Sequence, residues 1–325
     1  MRKHSTRHHP RTRLAVVLSF ALVAALLFSL IAASGASAEQ RSGPIAHAAK
    51  GHKKSKKRKK AKARKAAVPL SGIYDACTVG EQRDRPPYDC MQRLTALSQA
   101  GFRVVINYWT SGMSADDALE YAREAQSVGM QVIWNVSDFT IPMDRHLDLV
   151  RVTSSLPATW GYYIGDEVDP ANRGQVAELS SRVRGLTKRP VLYVSRPNPS
   201  KLRPFKGLAD YIGPDDYPVG PIDPPACQTA RWASKTVKKN LAMVLQAYSW
   251  SIDFPDMNPQ WPSASEMRQM RNQATRCGRP KLLLWFCFHC ITDYHPNADA
   301  YWRDVAWAAN GVSLNPNYSL SAQSA

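Results

Sequence analysis

Acidic residues are nearly absent from the first 65 residues of this 325-residue chain, which hold Glu39 alone beside 17 of the 43 Lys and Arg residues. Residues 50–65, KGHKKSKKRKKAKARK, contain eleven basic residues and no apolar periodicity. Such a segment cannot bury a core and repels itself, so we expect a disordered basic linker over residues 39–67. Residues 66–325 retain 26 basic and 25 acidic residues. This near neutrality argues against a nucleic-acid-binding domain, which needs basic residues clustered on its folded surface, so we expect no nucleic-acid partner.

Three motifs that would indicate other chemistry are also missing. The turn at residues 74–87, YDACTVGEQRDRPP, has no Gly-rich phosphate fingerprint, which argues against a doubly wound nucleotide-binding sheet. No Gly-x-Ser-x-Gly elbow is present, so serine-hydrolase chemistry has little support. Cys287, His289 and Cys290 have a metal-like spacing but lack a second ligand pair. The sequence therefore predicts no metal and no cofactor.

The beginning of the chain carries an export signal. Basic residues precede an apolar run at 14–33, and Ala36-Ser37-Ala38 offers a small-residue cleavage site. We expect a signal peptide over residues 1–38, with an uncleaved membrane anchor as the alternative because the run approaches the length of a span. Export places six cysteines where disulfides persist. Cys77 and Cys90 flank one loop and are expected to pair, while the other four cysteines allow three connectivities.

A repeating strand and helix pattern begins after residue 68. Each apolar, β-rich run is followed by a stretch with helical periodicity, at intervals of mostly about thirty residues, the length of a parallel β-α unit. This pattern predicts an α/β fold, a (β/α)₈ TIM barrel, over residues 68–325. The eight predicted strands are residues 71–75, 102–109, 130–136, 160–165, 190–195, 209–213, 241–248 and 281–288.

Helix signals support the barrel prediction. Ser114 begins SADDALEYAREAQSVG with an acidic residue three positions later, and Gly129 stands at the far end. Further helices are expected at residues 144–155, 171–186, 225–239, 263–276 and 297–310.

Polar and aromatic residues stand at the predicted carboxyl ends of the strands, where such barrels place their active sites. The run WGYYIGDEVDP ends the fourth strand with Asp166 and Glu167, whose side chains should diverge because a strand alternates. Carboxylates, amides and aromatic faces together suit sugar recognition and cleavage. The candidate sugar-binding residues are Asp75, Asn107, Tyr108, Asn135, Tyr217, Gln246 and Trp285.

The sequence resembles the secreted TIM-barrel glycoside hydrolases in its order of predicted strands and in two segments, YYIGDE and DDYP. These enzymes carry an acid/base glutamate at the end of the fourth strand. The resemblance implies that Glu167 is the general acid/base. Asp166 is similar to the aspartate of the Asp-Glu pair of β-hexosaminidases, which supports an acetamido group of the substrate.

Two positions depart from the large retaining clan of these barrels. Asp166 stands where Asn is usual, and Gln246 stands where a second glutamate usually closes the seventh strand. Asp216 and Tyr217 in the sixth-strand segment resemble a Tyr and Asp pair of chitinase-like enzymes. The resemblance thus leaves two options for the second catalytic element, either Asp216 or a group of the substrate.

These observations lead to an expected function. The chain is expected to be a secreted, monomeric glycoside hydrolase acting on an extracellular or cell-wall polysaccharide. The alternative is a catalytically inactive, sugar-binding or wall-associated barrel, because fold alone does not establish function. The basic linker should contact an anionic cell-wall polymer or a membrane surface.

Overall fold

The eight predicted strands close into a parallel barrel in the computed structural model, which describes residues 68–79, 89–220, 223–238 and 240–323. Neighbours follow chain order, and β1 pairs with β8 to close the ring. The predicted fold class is therefore confirmed, while the predicted signal peptide and linker lie outside the described residues. The strands are β1 Leu70–Asp75, β2 Val104–Asn107, β3 Gln131–Asn135, β4 Thr159–Asp166, β5 Val191–Ser195, β6 Tyr211–Asp216, β7 Ala242–Gln246 and β8 Leu282–Phe286.

Helices connect the strands around the outside of the barrel. Ser114 accepts from the backbone of Asp117, whose carboxylate accepts in return, and Ser263 and Glu266 form the same capping box. The described helices are α1 Cys90–Gln99, α2 Ala115–Ser127, α3 Met143–Thr153, α4 Arg173–Leu186, α5 Pro199–Leu202, α6 Ala226–Val237, α7 Ala264–Gly278, α8 Phe288–Tyr294 and α9 Ala298–Asn310. Within the described residues, no helix is both long and apolar enough to cross a membrane.

The sequence prediction missed three helices, α1, α5 and α8, and ended β6 too early. Asp89 caps α1 by accepting from the amide of Gln92 at 2.7 Å, a signal that stood directly before Cys90. The other two helices have four and seven residues, too few for a periodic pattern to emerge. The strand β6 continues through Asp216 rather than ending at Gly213, because Asp215 and Asp216 pair with β7.

Side chains of each strand alternate between the barrel interior and the layer beneath the helices. Tyr74, Tyr163 and Leu284 belong to the interior cluster, whereas Trp134 and Trp285 pack in the outer layer. Both layers are assembled from residues within 68–323, so this part of the chain has a complete core of its own.

Three disulfides join the six cysteines. Cys77 bonds to Cys90, which confirms the predicted pair and ties the end of β1 to α1. The four remaining cysteines form Cys227–Cys277, between α6 and α7, and Cys287–Cys290, at the end of β8. The structure thus selects one of the three pairings that the sequence left open.

Candidate active site

The carboxyl ends of β4, β5 and β6 bring four charged residues to the mouth of the barrel. Asp166 and Glu167 follow Gly165 on β4, Arg196 follows β5, and Asp215 lies near the end of β6. A shift of register between Tyr163 and Asp166 places Asp166 opposite Val194, an interior residue of β5. In a regular strand the interior side chains would be those of residues 163 and 165. The β-bulge shifts this alternation by one residue, so the side chain of Asp166 faces the interior.

Glu167 adopts a left-handed backbone conformation with φ of +47°. This conformation costs a residue with a side chain about 1–2 kcal/mol, and such strain is concentrated at functional positions. The amide of Glu167 still donates to the carbonyl of Val194 at 3.1 Å. Its Oε2 atom accepts from Nε of Arg196 at 2.7 Å, and the Glu167 side chain remains 33% exposed. The strained turn therefore presents this carboxylate at the mouth.

Asp215 is the buried partner of Glu167. It is 4% exposed, and burial and then the nearby charge of Glu167 hold the pKa of Asp215 well above its usual range. No described group forms a hydrogen bond with Asp215 Oδ1, so burial leaves this carboxyl group without a donor that would stabilise its charge. Asp215 is therefore harder to ionise than an exposed aspartate, and it lies beside the carboxyl group of Glu167.

Asp166 lies on the opposite side of Glu167, toward β2. Its Oδ2 atom accepts from the hydroxyl of Tyr108 at 3.1 Å, and its outer edge is open to solvent. Desolvation by the surrounding protein and then the charge of Glu167 raise the pKa of Asp166 to about 6, although hydrogen bonds from Tyr163 and Tyr108 oppose the rise. Asp166 is thus ionised at neutral pH and protonated in mild acid.

Aromatic rings form the floor and one wall of the mouth. The ring of Tyr74 lies 5.4 Å from Tyr108 and 5.4 Å from Phe286, between centroids. Tyr217 packs edge-on against Tyr248 at 5.1 Å. Burial raises the pKa of each of these tyrosines, so their hydroxyls stay protonated and can act as hydrogen-bond donors. Tyr108 and Phe286 are half-buried and can offer part of their rings to a sugar, whereas Tyr74, Tyr217 and Tyr248 are buried beneath and around them.

Asp216, the second carboxylate predicted from the sequence, does not face this group. Its side chain points out of the barrel, where Oδ1 accepts from the hydroxyl of Thr229 on α6 at 2.9 Å. Burial raises the pKa of Asp216 to about 8. Strand alternation is the reason, because Asp215 takes the interior side of β6 and its neighbour must take the outer side.

Three predicted sugar-binding residues also lie in the outer layer. Asp75 Oδ1 accepts from Nη1 of Arg93 at 2.7 Å, and both side chains are buried. Asn107 bonds to the backbone of Cys77 and caps the turn that follows β2. Trp285 packs in the apolar layer between barrel and helices. These three residues support the fold, and the structure does not bring them to the mouth.

The remaining predicted residues divide into two groups. Tyr108 and Tyr217 contribute rings to the mouth. Asn135 supports Tyr108 from below by donating to its carbonyl at 3.1 Å. Gln246 accepts from the amide of Val219 at 2.7 Å and donates to the carbonyls of Val219 and Tyr248 at 3.0 Å each. Its amide thus holds the loop after β6, and all its donors and acceptors are engaged.

The sequence interpretation did not select Asp215 and Arg196 as site residues, although the structure places both at the mouth. Both residues stand at predicted strand ends, but nothing distinguished Asp215 from Asp216 until the strand length was known. Alternation along YIGPDD was the available signal, because Ile212 lies in the outer layer and Asp215 is an odd number of residues away from it.

The Cys287–His289–Cys290 group is the described cluster whose atoms are close enough to share a metal ion, with ligand atoms within 4.8 Å of one another. Both sulfur atoms belong to one disulfide, however, and a disulfide sulfur is not the thiolate that a metal binds. The ring of His289 instead packs edge-on against Tyr108 at 6.2 Å and contributes to the wall of the mouth.

No protein-family model matches the chain, and no curated protein matches it. Among solved structures, the chain is similar to a GH113 beta-1,4-mannanase, with a TM-score of 0.51 and 13% identity over 67% of this chain and 87% of the mannanase. It is also similar to a glycosyl hydrolase family 2 member from Bacteroides cellulosilyticus DSM 14838, with a TM-score of 0.50 and 14% identity over 73% of this chain. The chain spans about a third of that second protein, 32% of its length. Both are glycosyl hydrolases, and at these identities the likeness shows a shared barrel fold.

Proposed function

We propose that the barrel is a glycoside hydrolase that cleaves glycosidic bonds of an extracellular or cell-wall polysaccharide. The observation that carries the proposal is the convergence of three carboxyl groups, Asp166, Glu167 and Asp215, at the carboxyl ends of β4 and β6, beside the half-buried rings of Tyr108 and Phe286. Hydrolysis of a glycosidic bond needs a proton donor at the leaving oxygen and a second carboxyl group nearby. Three disulfides agree with a protein that acts outside the cell, where we propose that it works as a monomer.

Glu167 is the residue that acts directly on the substrate in this proposal. Its side chain is one-third exposed, whereas Asp215 is buried, so the glycosidic oxygen can approach Glu167. In this proposal Asp215, whose pKa is raised by burial, holds the proton in the resting site and passes it to Glu167 as Glu167 protonates the leaving oxygen. Water attacks the sugar as the leaving group departs, and the proton of that water passes to Glu167 and back to Asp215, which restores the resting site.

Asp166 supplies negative charge beside the reacting sugar. The transition state of glycosidic cleavage carries positive charge on the ring, which an ionised Asp166 would stabilise. The contact with Tyr108 fixes the orientation of this carboxylate. The same pair could instead orient an acetamido group of the substrate, in which case cleavage would be restricted to N-acetylated sugars.

A set of isosteric variants tests Glu167 and Asp215. Glu167→Gln and Asp215→Asn remove a titrating group while retaining shape, and each should lower the release of reducing ends about 10²–10⁴-fold. Asp216→Asn is the matched control, because this side chain faces α6 and should leave release nearly unchanged. Suitable probes are β-1,4-mannan, cellulose, chitin and pectin, each tested for reducing ends. Full release by Glu167→Gln, or an equal loss in Asp216→Asn, would contradict the proposal.

The second candidate is a barrel that binds sugar without cleaving it. Gln246 favours it, because the end of β7 carries an amide held by backbone groups and offers no carboxylate to the mouth. Retardation of the protein on immobilised polysaccharide distinguishes the two candidates. Retention of the unmodified protein without release of reducing ends from any of the four probes would favour the inactive barrel.

A further inference from the structure

Charge is segregated between the two ends of the barrel, although residues 66–325 are nearly neutral in total. The loops that follow the strands are rich in carboxylates. The loops that lead into the strands, at the opposite end, are rich in Lys and Arg. The carboxylates after the strands include Asp138, Asp166, Glu167, Asp169, Asp223, Asp253, Asp256 and Asp293.

Six exposed cations lie within five residues before a strand, and we call them the amino-terminal rim. Parallel strands of a closed barrel start at one end, so the residues that precede them meet there. One carboxylate, Asp210, lies among the described lead-in residues, and Arg184 contacts it at 3.2 Å. The rim consists of Arg103 before β2, Lys188 before β5, Lys206 before β6, Lys238 before β7, and Arg279 and Lys281 before β8.

The helix dipole accounts for only two of the rim cations, because Lys238 and Arg279 directly follow the last residues of α6 and α7 as their C-caps. Basic residues in the last turn of a helix complement its negative end, and Arg151, Arg184, Lys235 and Arg276 occupy such positions. The six rim cations lie beyond the helix ends, and none forms an ion pair with a described residue. They therefore present unneutralised positive charge to the solvent.

The basic segment of the sequence precedes the first strand of the barrel. The strand β1 begins at Leu70, so residue 65, the last of the eleven basic residues in 50–65, precedes the barrel by a few residues. The apolar run at residues 14–33 lies upstream of that segment. The amino-terminal rim lies at the end of the barrel where β1 begins. The segment predicted to be an export signal or anchor precedes β1 in the sequence.

We propose that the amino-terminal rim docks on an anionic lipid bilayer and directs the mouth of the barrel away from it. Six point charges on flexible stems around one end of a barrel suit a broad, planar array of negative charge. Lipid headgroups present such a plane, and each basic residue near it adds an attraction that salt screens. The carboxylates at the other end would be repelled by the same surface, which reinforces one orientation.

Vesicle sedimentation tests the rim. The full chain and a chain that begins at Val68 are compared on phosphatidylcholine vesicles with and without 30% phosphatidylglycerol, at low and at high salt. The chain from Val68 has nearly no net charge, so its binding reports the distribution of charge rather than the total. It should bind the anionic vesicles at low salt and dissociate as the salt rises. The triple variant Lys188→Gln, Lys206→Gln, Lys281→Gln should bind at least about tenfold more weakly.

A matched triple variant separates position from net charge. Arg123→Gln, Arg145→Gln and Arg231→Gln remove three exposed cations from helices and leave the rim intact. This control should retain nearly full binding. An equal loss of binding in both triple variants would overturn the proposal. So would a result in which only the full chain binds the vesicles and the rim substitutions, made in the full chain, do not weaken its binding. Binding to isolated anionic wall polymer without binding to phosphatidylglycerol vesicles would overturn it as well.

Discussion

Arg196 Nε donates to Glu167 Oε2 at 2.7 Å and thereby links the carboxyl ends of β5 and β4. The Arg196 side chain is 67% exposed, and the hydrogen bond and charge of Glu167 raise the pKa of Arg196 above its ordinary value. This contact holds the carboxylate of Glu167 in place although its backbone is strained. The ends of β4 and β5 are thus joined through Glu167, the residue that we propose protonates the leaving oxygen.

Asp75→Asn should destabilise the protein and leave the mouth unchanged. Asp75 and Arg93 form a buried ion pair, so loss of one charge leaves the other unpaired, at a cost of about 3–5 kcal/mol in the free energy of unfolding. Arg93 also contacts Asp293 at 3.3 Å, which should reduce this cost. Asp148→Asn, which breaks the exposed pair with Arg151, is the control and should change stability by less than about 1 kcal/mol. Urea unfolding measures both, and a specific loss of polysaccharide binding by folded Asp75→Asn would contradict this structural role.

Asp216→Asn should make stability less dependent on pH. The pKa of Asp216 is about 8 in the folded chain and near 3.8 when unfolded. Between these values the folded state holds a proton that the unfolded state has lost, so the free energy of unfolding falls as pH rises from about 4 to 8. Asparagine keeps an acceptor for Thr229 and cannot ionise. Urea unfolding at pH 5 and pH 9 should show the smaller difference in the variant, by up to several kcal/mol.

The outcome at Asp216 would be opposite if its carboxylate were stabilised by a partner that the burial argument overlooks. In that case the variant would be less stable than the parent at pH 9. Thr229→Val provides the matched test, because it removes the hydrogen bond that lowers the pKa and should steepen the loss of stability with pH.

Gln246→Glu should destabilise the loop after β6 rather than install a catalytic group. The Nε2 atom of Gln246 donates to the carbonyls of Val219 and Tyr248, and a carboxylate would place negative charge against both. We expect a loss of at least about 2 kcal/mol at neutral pH, with partial recovery in acid as the glutamate is protonated. Thermal unfolding at pH 4.5 and pH 7.5 measures the effect. Unchanged stability together with faster release of reducing ends would show that the position faces the substrate.

The fold was predictable because a barrel leaves a strong imprint on the sequence. A strand that is buried on both faces appears in the sequence as an unbroken apolar run. Each pair of parallel strands is joined by a crossover helix, so these runs recur at similar intervals. All eight strands were located on this basis. The short helices α5 and α8 escaped because too few residues repeat, and α1 escaped because its capping residue stood in a segment interpreted as loop.

The mouth was predictable only as far as strand ends identify it. That rule located Glu167, Asp166, Tyr108 and Tyr217, but it cannot say which of two adjacent side chains faces inward. The direction in which each side chain points depends on the register and length of its strand. In β6 these place the side chain of Asp215 on the interior side. The β-bulge in β4 is a tertiary feature of the same kind. Asp75 and Gln246 show a second limit, because a buried polar residue at a strand end can serve the fold as readily as a ligand.

Tyr108→Phe should shift the acid side of the pH–rate profile to higher pH. The hydroxyl of Tyr108 donates to Asp166 at 3.1 Å and lowers the pKa of that carboxyl group, which is already about 6. Without this bond Asp166 remains protonated to a higher pH, and a protonated Asp166 cannot stabilise positive charge on the sugar. We expect the midpoint of the acid limb of kcat/KM to rise by up to about one pH unit, while the ring keeps its packing against Tyr74.

Tyr162→Phe is the matched control for this positioning role. Its hydroxyl lies in the outer layer, 3.0 Å from the hydroxyl of Thr153, so its loss should lower stability by about 1 kcal/mol without moving the acid limb. A profile of Tyr108→Phe that is lower at every pH but has the same midpoint would mean that Tyr108 serves only the packing of the mouth. A shifted midpoint in Tyr108→Phe alone would place the titration of Asp166 in the reaction itself.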